Sequence, residues 1–141
     1  MRLWHYRLIE VLPDKQLKAM RYEIGDMVKQ YPNIKNGLVK YANNYNIEYL
    51  FHYFLLVLAE FDKRGINHNN KYDNEIIKLI KHKNTHPLLN WRKFYPEHNN
   101  RYYEQCFYNL QEKFDRGIIT LDEYLLIRNQ RIDIHLGEEE N

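Results

Sequence analysis

Residues 47–65 read IEYLFHYFLLVLAEFDKRG. Leu50, Phe51, Phe54, Leu55, Val57, Leu58 and Phe61 recur at helical intervals and cover more than half of a helix circumference. Gly65 then supplies a natural residue for the left-handed turn that closes a helix. The pattern predicts a helix from about Ile47 to Arg64, apolar enough to form the buried centre of its domain.

Helical periodicity continues on both sides. Upstream, Leu17, Met20, Ile24, Met27, Val28 and Tyr31 form one apolar stripe on a helix that opens near Asp14, after Pro13, and stops at Pro32. An Asn-rich stretch through Asn46 holds one short helical turn around Leu38 to Ala42. Downstream, a shorter helix capped by Asp73 offers Ile76, Ile77, Leu79 and Ile80 for packing. His86-Pro87 and Tyr95-Pro96 then mark an irregular segment. From about Asn99 to Arg116, Tyr103, Cys106, Phe107, Leu110 and Phe114 share a face, and Gly117 ends the helix. Thr120-Leu121-Asp122-Glu123 is a capping box that opens a last helix to about Arg131, with a frayed acidic tail at Glu138, Glu139 and Glu140. No β-alternation is sustained. The expectation is an all-α single domain of about five helices around a central buried helix, residues 1–117, with a short C-terminal helix and acidic tail over 118–141.

The 141-residue length fits one core, and a mean hydropathy of -0.77 indicates a soluble chain. Arg7 and Glu10 interrupt what would have to be a secretory apolar run, so a cytoplasmic location is expected. The sequence has no serine, and its only threonines are Thr85 and Thr120, which excludes serine-nucleophile triads. One cysteine, Cys106, excludes an internal disulfide and multi-cysteine zinc sites; on its apolar stripe it reads as a buried, inert thiol. Five scattered glycines form neither common phosphate-binding loop, and no cofactor is implied. Charge is uneven: residues 1–117 carry 19 Lys and Arg against 13 Asp and Glu, whereas 118–141 carry 2 against 6. A basic body suits a polyanionic partner, because neutralised phosphates release counterions.

Glu23 sits one position before Ile24, at the edge of the first stripe. It is either an ordinary boundary glutamate or a partly desolvated carboxyl with the raised pKa that an acid or base near neutrality needs. Arg21 borders the opposite edge, where a surface cation is equally consistent. His82 and His86 have the i, i+4 spacing of a metal pair, but Pro87 disfavours a continuous helix and no third ligand has motif spacing, so no metal site is expected. His5, His52, His68, His98 and His135 read as isolated surface or hydrogen-bonded side chains. Trp91, Arg92, Lys93, Phe94 and Tyr95 alternate rings with cations, a composition that can stack on bases and pair with phosphates, or pack a loop.

The order Leu8, Leu12, Asp14, Leu17, Ala19 and Glu23 resembles the pyrimidine-dimer DNA glycosylase/AP lyase family, the small helical repair enzymes of phage and bacteria. Glu48-Tyr49-Leu50 with Ala59-Glu60 and Lys63-Arg64-Gly65-Ile66-Asn67 is similar to the family's central helix and its exit. Tyr95-Pro96-Glu97-His98, followed by Leu110, Glu112 and Lys113, adds a third match, and Met1-Arg2-Leu3-Trp4-His5 resembles a bacterial branch. The resemblance implies an N-terminal α-amine nucleophile, here on Met1 because Arg2 disfavours methionine removal, assisted by Glu23. It also implies a partner, double-stranded DNA with a damaged or abasic site, whose phosphates Arg2, Arg7, Lys18 and Arg21 would hold. Residues 110–130 are somewhat similar to short paired-helix oligomerisation modules, which implies self-association through the C-terminal helix. Two other classes stay open: a non-catalytic DNA- or nucleotide-binding protein on this scaffold, and a helical protein-interaction module.

Overall fold

The structure is a computed structural model that describes residues 2–85 and 94–140, with side chains to residue 137. Five helices follow in order: α1 (Asp14–Gln30), α2 (Glu48–Arg64), α3 (Asn70–Lys83), α4 (Asn100–Asp115) and α5 (Leu121–Glu140). No strand occurs among the described residues, so the fold is all-α, as the periodicity predicts. Short 3-10 turns lie at Tyr6–Leu8 and Lys40–Asn44, the second slightly later than the turn read from sequence.

The stripe on α1 is fully buried and packs the helix on α2 and α3. Asp14 is the first helical residue rather than the cap, and its carboxylate favours the positive N-terminal end while pairing with Arg64 at 2.9 Å. At the other end, Lys83 of α3 donates to the Val28, Lys29 and Tyr31 carbonyls at 2.7, 2.8 and 2.8 Å. Those acceptors would otherwise be left over where a helix stops.

On α2, Leu50, Tyr53, Phe54, Val57 and Phe61 are buried, but Leu55 is 41 % exposed. The buried face is rotated from the one the sequence suggests: it also takes in Glu48, His52 and Glu60, while Phe51 and Leu58 are only partly buried. Asn69 caps α3, accepting from the Lys71 and Tyr72 amides. The expected cap, Asp73, instead lies inside the helix as the buried partner of Arg21 and His68. Gly117, with φ 76°, ends the turn after α4, and the capping box forms: Glu123 N–H donates to Thr120 Oγ1 and Thr120 N–H to Glu123 Oε1. Beyond Arg131 the helix does not fray but continues to Glu140, held by His135 on Glu104 at 2.6 Å and by the partly buried Ile134.

Residues 3–12 are mostly irregular, yet Leu3, Trp4, His5, Leu8, Ile9 and Leu12 are buried. A buried main chain without regular structure needs partners for its polar groups, and side chains from three helices supply them. Tyr102 of α4 donates to the Leu3 carbonyl at 2.6 Å, and Tyr53 of α2 to that of Trp4. Gln130 of α5 donates to Arg7 O at 2.6 Å. Arg64 of α2 spreads its guanidinium over Ile9 O at 3.1 Å and Leu12 O at 2.6 Å. The start of the chain is thereby fixed by α2, α4 and α5.

Candidate active site

Gln16, Ala19 and Glu23 follow one another at 3- and 4-residue steps, so α1 presents them on one face. That face forms one wall of a cleft of about 390 Å³, with Arg2 and Trp4 from the N-terminal segment, Leu38 from the following loop, and Asn109 and Lys113 from α4. Lys15 closes its rim. Glu23 is half-buried and is the cleft's only acidic residue among the described ones, facing Arg2, Lys15 and Lys113. Burial raises its carboxyl pKa above the ordinary value, while the positive charge at the chain's start and a hydrogen bond from the Arg2 main-chain N–H act against the rise. Two turns earlier on α1, Gln16 Oε1 is buried without a hydrogen-bond donor among the described residues.

Arg2, Leu38 and Asn109 also belong to a second cleft of about 650 Å³, walled by Tyr41, Tyr102 and Tyr108 with Glu97, Gln105 and Glu112. Arg2 lies over the Trp4 ring at 5.6 Å. Behind this wall His98 Nε2 meets Tyr41 Oη at 2.9 Å, and the His5 and His98 rings lie 5.5 Å apart. Burial lowers His5 to about 4 and His98 to about 3, so both imidazoles are neutral. Cys106 is fully buried and its thiol pKa is raised by burial, which makes it a poor nucleophile.

The structure divides the residues singled out from sequence. Arg2 and Glu23 come together. Arg21 does not join them: it is 3 % exposed, donates to Asp73 at 2.7 Å and to Asn69 O at 3.0 Å, and lies between the Tyr22 and Tyr72 rings. Its expected phosphate contact is therefore corrected to a buried ion pair joining α1 to α3. Arg7 is exposed but faces Glu10, Glu60 and Asp133 in a separate cavity near α5, an acidic setting unsuited to a phosphate. Lys18 is exposed on α1, about 140° around the helix from Glu23. Met1, His86, Trp91, Arg92 and Lys93 lie outside the described residues. Among the described residues, no group of three His, Cys, Asp or Glu is arranged to hold a metal ion.

Besides Arg2, the cations in the Glu23 cleft are Lys15 and Lys113; neither was read from sequence as a phosphate contact, although Lys113 stands in the third block of the resemblance. Lys15 carries a signal, since it precedes Ala19 by one turn. Lys113 and Asn109 come from a helix whose approach to α1 is purely tertiary.

The sequence profile of the pyrimidine dimer DNA glycosylase family matches residues 1–74, rather more than half of the chain. The chain belongs to this family. The matched span contains Glu23, Arg2, the buried N-terminal segment, α1 and α2, and membership implies a DNA substrate. No curated protein and no solved structure matches the chain. No helix among the described residues is long and apolar enough to cross a membrane.

Proposed function

We propose that this member of the family is a DNA glycosylase/AP lyase that acts on pyrimidine dimers or related lesions in duplex DNA through the α-amine of Met1 and the carboxyl of Glu23. The observation that carries the reading is the half-buried Glu23 in a cationic cleft that Arg2 of the N-terminal segment also lines. An α-amine one residue earlier lies within about 4 Å of the Arg2 amide nitrogen by covalent geometry alone.

The chemistry favours a terminal amine. With a pKa of about 7.7 to 8.0 it is roughly 10 to 15 % neutral at pH 7, whereas a lysine near 10.4 is less than about 0.1 % neutral. Attack on the sugar C1′ forms the N–C1′ bond as the glycosidic bond breaks, and the departing base takes a proton. Opening of the sugar ring gives an imine. Loss of a C2′ proton then expels the 3′-phosphate and cuts the strand. A carboxyl with a raised pKa can hold the proton near neutrality, deliver it to the leaving group and afterwards offset the cationic sugar. Arg2, Lys15 and Lys113 line the same cleft and would hold the phosphates that flank a nucleotide drawn from the stack. Trp91, Arg92 and Lys93 are proposed as outer contacts on residue type.

Self-association through α5 is a further proposal, supported by Leu121, Leu126, Ile132 and Leu136, which stay exposed there. The function is tested with Glu23→Gln on duplexes carrying a single abasic site or a single dimer. Strand cleavage should fall at least about 100-fold, with duplex binding kept; full cleavage by the variant would refute the role of Glu23.

A further inference from the structure

Two consecutive carbonyls near the start of the chain are held by two helices: that of Leu3 by Tyr102 of α4 at 2.6 Å, and that of Trp4 by Tyr53 of α2. Arg2, one residue earlier, lines the Glu23 cleft. Tyr53 is wholly enclosed, so its bond belongs to the core. Tyr102 is different. It is only partly buried, and its ring walls the larger cleft beside the Glu23 cleft. It therefore grips the chain immediately on the far side of Arg2 from the amine.

We infer that Tyr102 is a positioning residue: by holding the Leu3 carbonyl, its hydroxyl sets how the α-amine of the chain reaches Glu23. The inference rests on the imine chemistry proposed above and adds the device that aims the nucleophile. Without the bond, the main chain at residues 2 and 3 is held by the burial of Leu3 and the packing of Arg2 on Trp4, and its direction toward Glu23 is less closely fixed. An ångström of misplacement at a reacting atom costs rate out of proportion to the stability lost. Tyr102 itself needs no contact with the reacting sugar.

The test uses the full chain and three proteins: wild type, Tyr102→Phe and Tyr103→Phe. Tyr103 is a matched control, because its hydroxyl donates a bond of 2.7 Å to Gln130 from the same helix without touching residues 2–4. On an abasic duplex under single turnover, Tyr102→Phe should slow imine trapping about 10- to 100-fold, leave duplex affinity within about twofold, and differ from Tyr103→Phe. Equal rates for wild type and Tyr102→Phe would overturn the inference and leave the proposed function standing. Equal losses in both variants would show a merely structural role and overturn it too.

A second readout does not depend on activity. The rate of acylation of the Met1 amine, mapped by mass spectrometry across pH, reports its pKa. An amine held beside a carboxylate should titrate above about 8, and Tyr102→Phe should return it toward the free-peptide value of about 7.7 to 8.0. If the wild type traps no imine, the proposed function fails, and this titration alone decides the positioning. A wild-type amine that already titrates like a free peptide would overturn it even if Tyr102→Phe fails to fold.

Discussion

Acidification from pH 7 to 4.5 should remove much of this protein's stability through two imidazoles. His5 and His98 are 2 % and 6 % exposed, lie ring against ring at 5.5 Å, and are held neutral with pKa values of about 4 and about 3. In the unfolded chain each takes a proton near 6.5. A folded-state pKa below the unfolded one means that their contribution is fully present above pH 6.5 and is lost as the pH falls toward 4 and then 3. Each proton bound only by the unfolded chain contributes about 1.4 kcal/mol per pH unit, so the pair gives a slope of about 2.7 kcal/mol per unit near pH 5. Over the window the loss is about 2.5 kcal/mol for each imidazole, against a typical total of about 5 to 15 kcal/mol.

Two other groups act in the opposite sense. The raised pKa of His68, due to its bonds to Asp62 and Asp73, favours folding below pH 6.5 and loses effect as the pH rises, so it contributes no slope near pH 5. The raised carboxyl of Glu23 offsets part of the acid loss. A variant separates the terms. Urea denaturation followed by far-ultraviolet circular dichroism, at half-unit steps and constant ionic strength, should give His98→Gln a slope lower than wild type by about 1.4 kcal/mol per pH unit. Identical slopes in the two proteins, or a wild-type stability that is flat from pH 6.5 to 4.5, would refute the reasoning.

Lys15→Ala combined with Lys113→Ala should weaken duplex binding on matched and damaged DNA alike and reduce the magnitude of the salt slope, log K against log salt, by about 2. Fluorescence anisotropy across a salt series measures this, with Lys18→Ala as a comparison from another face of α1. Arg64→Met should destabilise the fold by about 3 kcal/mol. It frees the buried carbonyls of Ile9 and Leu12 and leaves the nearly buried Glu60 without its 2.9 Å partner; chemical denaturation gives the value.

Local periodicity made the helices legible because their packing faces are written at 3- and 4-residue steps. The stripe from Leu17 to Val28 is buried as a unit, and the Thr120–Glu123 box caps α5 as spelled. What could not be read was pairing across the chain. Asp73 looked like a cap because a short acceptor before an apolar run is the usual signal, yet Arg21, 52 residues away, claims one of its oxygens and leaves the cap to Asn69. The same long-range pair hid the fate of Arg21. The continuation of α5 past Arg131 depends on Glu104 of another helix receiving His135, which no local signal announces.

The candidate site was half legible in the same sense. Glu23 stands at a stripe edge, and Gln16 and Ala19 share its face by spacing alone. Asn109 and Lys113 enter only because α4 closes over the buried N-terminal segment, an arrangement fixed by tyrosine hydroxyls whose targets are main-chain carbonyls. A carbonyl has no side-chain identity, so its partner leaves no trace in the sequence. The buried face of α2 was misjudged for a related reason: Glu48, His52 and Glu60 are buried there, and polar side chains do not enter an apolar stripe.

Borohydride reduction of the protein on duplex DNA with one abasic site, followed by proteolysis and mass mapping, tests the central claim most directly. A covalent adduct carried by the α-amine of Met1, and lost when that amine is acylated beforehand, is the predicted result. An adduct confined to a lysine, or none from protein whose terminal amine is verified free, would contradict the account.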